Sequence, residues 1–245
     1  MCGIAGHAGP SGPDATRVDA TLARLACRGP DAHGTVRQDF GRDAVTLVHT
    51  RLSIIDLDRR SDQPFTLDGC TLAYNGELYN YRELRTELER AGHVFTTDSD
   101  TEVLLRAYLA WGTACVERFG GMWAFALNDT RDGSLMLSRD RFGEKPLFLL
   151  EDDAGLWFAS ETGALVALRG RRPAIDRDHV IRSVVHGHKV LHQHDATFHV
   201  GVRELPPATV LVVHPDGRRT SHAYWRPVIA PDATMDAATA AAGVR

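Results

Sequence analysis

Cys2 is the first residue whose type and position suggest chemistry. With Met1 removed, it would carry both a thiol and a free α-amine, and an unperturbed α-amine has a pKa of about 7.7–8.0. Such an amine can take the proton of its own residue's nucleophile, so one residue would supply both halves of a catalytic pair. Thiolate is a strong nucleophile and forms a thioester that water can open. The other cysteines, Cys27, Cys70 and Cys115, lie far apart. They indicate neither a local disulfide nor a Cys-x-x-Cys metal pair, and read as ordinary buried thiols.

Two further clusters carry reactive side chains. Arg139, Arg141 and Lys145 in "SRDRFGEKPLF" could meet a phosphate, but no Gly-rich strand-to-helix turn accompanies them, and the flanking strands indicate a hairpin loop. His186, His188, His192, His194 and His199 crowd "HGHKVLHQHDATFH". Their spacing fits neither a zinc finger nor a His-x-x-x-His pair on an established helix, so no metal site is expected.

The elements that must position Cys2 follow from apolar periodicity. Residues 2–9 read as a strand starting directly behind Met1, and Val18, Leu22, Leu25 and Ala26 as a helix broken at Gly29-Pro30. "AVTLVHTRLSIIDL" reads as strand and turn, and "CTLAYNGELYN" as a strand running into a loop. Leu78, Tyr81, Leu84 and Leu88 mark one face of a helix ending near Gly92. A Ser99-x-x-Glu102 capping box predicts a helix from about Asp100 with Val103, Leu104, Ala107, Tyr108 and Trp111 buried.

Beyond Gly121, short apolar runs separated by "TRDG", "RFGEKP" and "DDAG" predict antiparallel strands in tight succession. Helices near "ETGALVAL" and from Asp176 to His186, then strands through "ATVLVVHPDGRRTSHAYW", complete the ordered part. Residues 226–245 read as a linker and the start of a helix lacking a packing partner. Strands interleaved with helices without regular alternation give an α+β domain with antiparallel sheets.

Composition narrows the function classes. With 28 Lys+Arg against 32 Asp+Glu the formal charge is -4, which argues against nucleic acid or an anionic membrane as the main partner. No apolar run is long enough for a membrane span, and the first residues lack the pattern of a signal peptide. A cytoplasmic protein acting on small polar metabolites is expected.

Several blocks then occur in one order: "MCGIAG", "RGPD" (28–31), "HTRLSIIDL" (49–57), "QPF" (63–65), "YNGELYNYREL" (74–84), "DSDTEVLL" (98–105), "GGMWAFALND" (120–129), "SRDRFGEKPLF" (138–148) and "ASE" (159–161). From residue 2 to about 225 the chain resembles the glutaminase domain of glutamine-dependent asparagine synthetases, within the class II glutamine amidotransferases. The resemblance implies a four-layer αββα N-terminal-nucleophile hydrolase fold, with two antiparallel sheets between helices. It implies that Cys2 attacks the side-chain amide of L-glutamine and expels ammonia. Asn75, through its side-chain NH2, and Gly76, through its backbone N–H, match the oxyanion hole.

Arg51 matches the clamp on the glutamine α-carboxylate, with Leu52, Ser53, Ile54 and Ile55 along the same pocket. Asp100 matches the acceptor of the α-ammonium, and Glu77 lies beside it. Each has a plainer reading alone: Asp100 as a helix-start carboxylate, Asn75-Gly76 as a hairpin turn, Arg51 as a solvated cation.

The chain departs from the family at Ala26-Cys27-Arg28, at Thr162-Gly163 and at Ala208, where relatives have Arg-His-Arg, x-Lys and Gly. These changes bring into question the surfaces facing a synthetase. Relatives continue into an ATP-pyrophosphatase domain with a Ser-Gly-Gly-x-Asp-Ser phosphate loop, which does not occur before Arg245. ATP and Mg are therefore expected only on such a synthetase domain or subunit, and no cofactor on this chain. A homodimer, a same-fold amidase for another amide, and a noncatalytic module retaining Met1 remain open alternatives.

Overall fold

The computed structural model describes residues 1–41, 43–187, 196–231 and 235–243. The strands in chain order are β1 (Gly3–Gly9), β2 (Ala32–Phe40), β3 (Asp43–Arg51), β4 (Phe65–Leu67), β5 (Cys70–Leu78), β6 (Gly121–Asp129), β7 (Ser134–Arg139), β8 (Phe148–Asp152), β9 (Gly155–Ala159), β10 (Val202–Glu204), β11 (Thr209–Val213) and β12 (Arg219–Ala223). The helices are α1 (Ala15–Leu25), α2 (Tyr81–Arg90), α3 (Asp100–Trp111), α4 (Thr162–Arg169), α5 (Arg177–His186) and α6 (Ala237–Gly243).

The strands form two antiparallel six-stranded sheets, ordered β10-β8-β9-β1-β3-β2 and β12-β11-β7-β6-β5-β4. Side chains alternate across a strand, so each sheet has two faces to cover. Ile4, Leu47, Ala73, Ala124, Ala126, Leu137 and Phe158 fill the layer between the sheets. On the outer face of the second sheet, Tyr74, Trp123 and Phe125 pack with Leu84, Leu88, Val103 and Leu104 from α2 and α3. On the outer face of the first, Val48 and Trp157 pack with Leu25 and Leu165 from α1 and α4. The result is the four-layer α+β sandwich that the resemblance implies. Strands buried on both faces lose the simple polar-apolar alternation, which is why "MWAFALN" reads as a nearly continuous apolar run.

Several local expectations are corrected. Cys70 and Cys115 are buried thiols as expected, but Cys27 is exposed. Leu78 ends β5 rather than opening α2, because the strand runs straight through Asn75-Gly76, paired with Ala124 and Trp123. The hairpin-turn reading of that dipeptide falls with it. The loop through Arg141 and Lys145 is no hairpin: β7 and β8 belong to different sheets, and the segment crosses between them. It is held from beneath by Asp140, which is fully buried and accepts from the N–H groups of Phe142, Glu144 and Lys145.

The capping box is also not closed. Ser99 accepts from the N–H of Thr101, but Glu102 reaches back past Ser99 to the backbone of Thr96 and Thr97. Finally, β2 was not expected from the sequence; "AHGTVRQDF" is an edge strand with no fully buried residue, so its sequence lacks an apolar signal.

Ala208, where the family's pattern has glycine, takes φ +52°, a left-handed conformation that costs a β-carbon about 1–2 kcal/mol. Its N–H donates to the Asp140 carbonyl and its own carbonyl accepts from Tyr224 N–H, which fix it there. None of the residues of α6 is buried. No helix among the described residues is long and apolar enough to cross a membrane.

Candidate active site

The first pair of β1 with β3 is Gly3 opposite Thr50, which sets Cys2 beside the end of β3. There its sulfur meets the backbone of Leu52, accepting from the N–H at 3.4 Å and donating to the carbonyl at 3.7 Å. Arg28 Nε donates to the Cys2 carbonyl at 3.0 Å, while its Nη1 donates to Glu161. The start of the chain is thus fixed rather than frayed. Burial pushes the thiol pKa up and the Leu52 N–H pulls it partly back, which favours the protonated thiol.

The second wall is an edge of β5. Its neighbour β4 pairs only with Cys70–Leu72, so beyond Leu72 the edge has no strand beside it. In an antiparallel strand, alternate residues send their N–H and C=O groups to the same side. Tyr74, Gly76 and Leu78 therefore face this open edge. Tyr74 N–H donates to Gln63 Oε1 at 2.7 Å, and Leu78 N–H donates to Asp100 at 3.0 Å.

The Gly76 N–H between them meets no side-chain acceptor among the described residues. A Cβ at Gly76 would run into the Met122 carbonyl and the Tyr74 ring, so only glycine lets the strands approach this closely. The neighbouring Asn75 side chain is 1 % exposed, yet neither its oxygen nor its nitrogen has a partner. An unpaired buried amide group costs about 1–3 kcal/mol, so it calls for an explanation.

Arg51 is buried, which removes the solvated-cation reading. Its Nη1 donates to the Asp58 carbonyl at 3.0 Å and to Asp62 at 2.7 Å. Its Nη2 donates to the carbonyls of Ile55 and Asp56. The guanidinium therefore shapes the loop that walls the cleft.

Asp100, at the first turn of α3, is buried and accepts from Tyr74 Oη at 2.9 Å as well as from Leu78. Burial holds its carboxyl pKa above the usual range despite those bonds. Burial and the nearby Asp100 charge raise Glu77 to about 7.

One narrow cleft brings together Cys2, Arg51, Leu52, Ile54, Ile55, Gly76, Glu77 and Asp100 from four separate segments of the chain. Of the residues expected from the sequence, Ser53 lies instead in the neighbouring cleft with Asp31 and Asp62, and Asn75 is buried behind the wall. Gln63, Tyr74, Ser99 and Thr101 line the site without having been singled out for it. The "QPF" and "YNGE" blocks contained two of them, but only the missing strand beside β5 shows why a polar side chain is needed there.

Of the histidine tract, His188, His192 and His194 lie outside the described residues. Among those described, no group of three or more His, Cys, Asp or Glu side chains is arranged to hold a metal. Chemically, the cleft holds a thiol together with Gly76, whose N–H is open and whose neighbour Asn75 carries an unpaired buried amide, and with the charged groups of Arg51, Glu77 and Asp100.

Residues 1–225 match the family model described as a glutamine amidotransferase domain. Glutamine-hydrolyzing asparagine synthetase 3 of Bacillus subtilis (strain 168) is 34% identical over 232 residues, covering 92% of this chain and 36% of the relative. Glutamine-hydrolyzing asparagine synthetase 1 of the same organism is 34% identical over 211 residues, covering 85% and 32%. The chain thus spans about a third of the length of these curated relatives. Among solved structures, glutamine phosphoribosylpyrophosphate amidotransferase from B. subtilis shares the fold, with a TM-score of 0.66 at 20% identity, covering 93% of this chain and 50% of that one.

Proposed function

The chain belongs to the class II glutamine amidotransferase family, and from that premise we propose that it hydrolyses the side-chain amide of free L-glutamine at Cys2, giving glutamate and ammonia. The observation that carries this assignment of roles is the unpartnered buried amide of Asn75, the residue next to Gly76, which lines the same cleft as Cys2 with its N–H open.

In this reading Met1 is removed and the freed α-amine takes the thiol proton as sulfur adds to the amide carbon. The carbonyl oxygen becomes an oxyanion received by Gly76 N–H and Asn75 NH2. Fixed donors of this kind favour the charged tetrahedral state over the planar amide. The protonated amine returns its proton to the departing nitrogen, ammonia leaves, and the glutamyl thioester remains. Water, giving a proton to the same amine, then opens the thioester to glutamate and regenerates the thiol.

Arg51 with the loop it holds receives the α-carboxylate, drawing on Nε or on a donor released by that loop. Asp100 and Glu77 receive the α-ammonium. Both ends of a free amino acid are thereby read.

We assign residues 2–225 to this domain and 226–245 to a connection towards a synthetase domain or subunit. The relatives' name, glutamine-hydrolyzing asparagine synthetase, supports aspartate as the default ammonia acceptor; its activation by ATP on that partner belongs to the same proposal. No cofactor is assigned to this chain. The test is release of glutamate and ammonia by the Met1-processed protein from glutamine and from glutamine acylated on its α-amine. Turnover of glutamine alone supports the reading; equal turnover of both, or none of glutamine, contradicts it.

A further inference from the structure

The open edge of β5 raises a question that the substrate contacts do not answer. A strand edge without a neighbour leaves its peptides free to shift, yet two of them carry the donors that meet the oxyanion. At Tyr74 the missing strand is replaced by two side chains. Gln63 Oε1 accepts from Tyr74 N–H at 2.7 Å, and the N–H of His49 Nε2 donates to the Tyr74 carbonyl at 3.0 Å.

Both side chains are anchored on other parts of the site. Gln63 also donates from Nε2 to Thr101 Oγ1 at 3.2 Å, one residue from Asp100. His49 is fully buried and stands two residues before Arg51 on the same face of β3. Its other ring nitrogen, Nδ1, has no partner. The ring therefore needs its single N–H on Nε2, aimed at Tyr74, and burial keeps it neutral by lowering its pKa to about 4.

We propose that His49 and Gln63 are positioning residues that substitute for the absent strand by holding the two peptides that flank Tyr74, Gln63 the Ala73–Tyr74 peptide and His49 the Tyr74–Asn75 peptide, and with them the Asn75 amide and Gly76 N–H, where the oxyanion forms. This rests on the glutaminase reading. Neither side chain acts on substrate in this role. A shift of one peptide would misplace donors that matter most once charge has developed, so the loss falls on turnover rather than on ground-state binding.

The test uses the full Met1-processed chain. His49→Leu, shown folded by circular dichroism and thermal melting, is expected to lower kcat for glutamine about tenfold with KM within about twofold, since even a small misplacement costs heavily in rate. The aldehyde analogue of glutamine offers a second readout: the Cys2 sulfur bonds to its carbonyl carbon and the thiol proton passes to oxygen, giving a neutral hemithioacetal whose oxygen occupies the hole. Its affinity should fall with kcat, and His49→Gln, which restores an N–H donor, should recover most of both.

Gln63→Glu keeps an acceptor for Tyr74 N–H and should exceed Gln63→Met in kcat; this pair decides the matter if His49→Leu does not fold. Wild-type kcat in folded His49→Leu, or equal kcat in the two Gln63 variants, overturns the assignment. A rise in KM alone also overturns it, by moving these residues to substrate binding. A wild-type chain that releases no glutamate overturns the glutaminase reading and this assignment with it.

Discussion

Asp100 accepts from the Tyr74 hydroxyl at 2.9 Å, on the same strand that carries Asn75 and Gly76 one and two residues further on. In the proposed glutaminase reading, the carboxylate assigned to the substrate's amino end and the donors assigned to its amide end therefore belong to one hydrogen-bonded unit. Distances between the two ends of the substrate are set by a strand, which is stiffer than a loop.

Glu77 supplies the pH dependence. Burial first, and the Asp100 charge second, raise its carboxyl from 4.5 to about 7. Below pH 7 it is protonated and loses the charge that, in the proposed reading, helps hold the α-ammonium, so KM for glutamine should rise as pH falls from 8 to 6. Stability should move the other way. Between about pH 4.5 and 7 the folded chain holds a proton that the unfolded chain has lost, so this group's contribution to stability declines as pH rises. Melting curves of wild type and Glu77→Gln across that window should show the slope in the first and its reduction in the second.

Asn75 separates activity from stability. Replacing it by Ala removes the proposed oxyanion donor, and loss of one such donor typically lowers kcat about 10²- to 10³-fold. The same change deletes a buried amide with no partners, so the folded state gives up no hydrogen bond. Steady-state kinetics and denaturant unfolding on the same protein should show a large loss in the first and little in the second.

Glu102 supports the segment leading to Asp100. Its carboxylate is fully buried and accepts from Thr96 and Thr97 N–H groups and from Arg106 Nε at 2.8 Å. Glu102→Ala leaves Arg106 without its buried counter-charge, an error worth about 3–5 kcal/mol in comparable pairs. Urea unfolding should register that loss.

The cost at Ala208 is testable by adding flexibility. Gly carries no penalty at φ +52°, though it loses more chain entropy on folding. Ala208→Gly should raise stability by up to about 1 kcal/mol, seen as a higher urea midpoint at unchanged slope.

Much of the fold was legible because helix periodicity and short strand runs survive in the sequence. The ordered blocks brought Cys2, Arg51, Gly76 and Asp100 together before any coordinates did. What stayed hidden depends on which strands are neighbours. "RFGEKP" between two strand-like runs looks like a hairpin loop until β7 and β8 are placed in opposite sheets. Likewise, nothing in "HTR" or "QPF" tells that His49 and Gln63 meet at one residue, Tyr74, since that need arises only where β4 stops. Edge strand β2, with no fully buried residue, carries little apolar signal at all.

The central claim, that the Cys2 sulfur meets the carboxamide of free glutamine, is tested most directly by chemical labelling. The processed chain is exposed to a diazoketone analogue of glutamine, then mapped by peptide mass spectrometry, with Cys2→Ala alongside. One adduct confined to Cys2, suppressed by excess glutamine and accompanied by loss of glutamate release, is the predicted result. An unmodified Cys2 after prolonged exposure, or glutamate release persisting in Cys2→Ala, would contradict it.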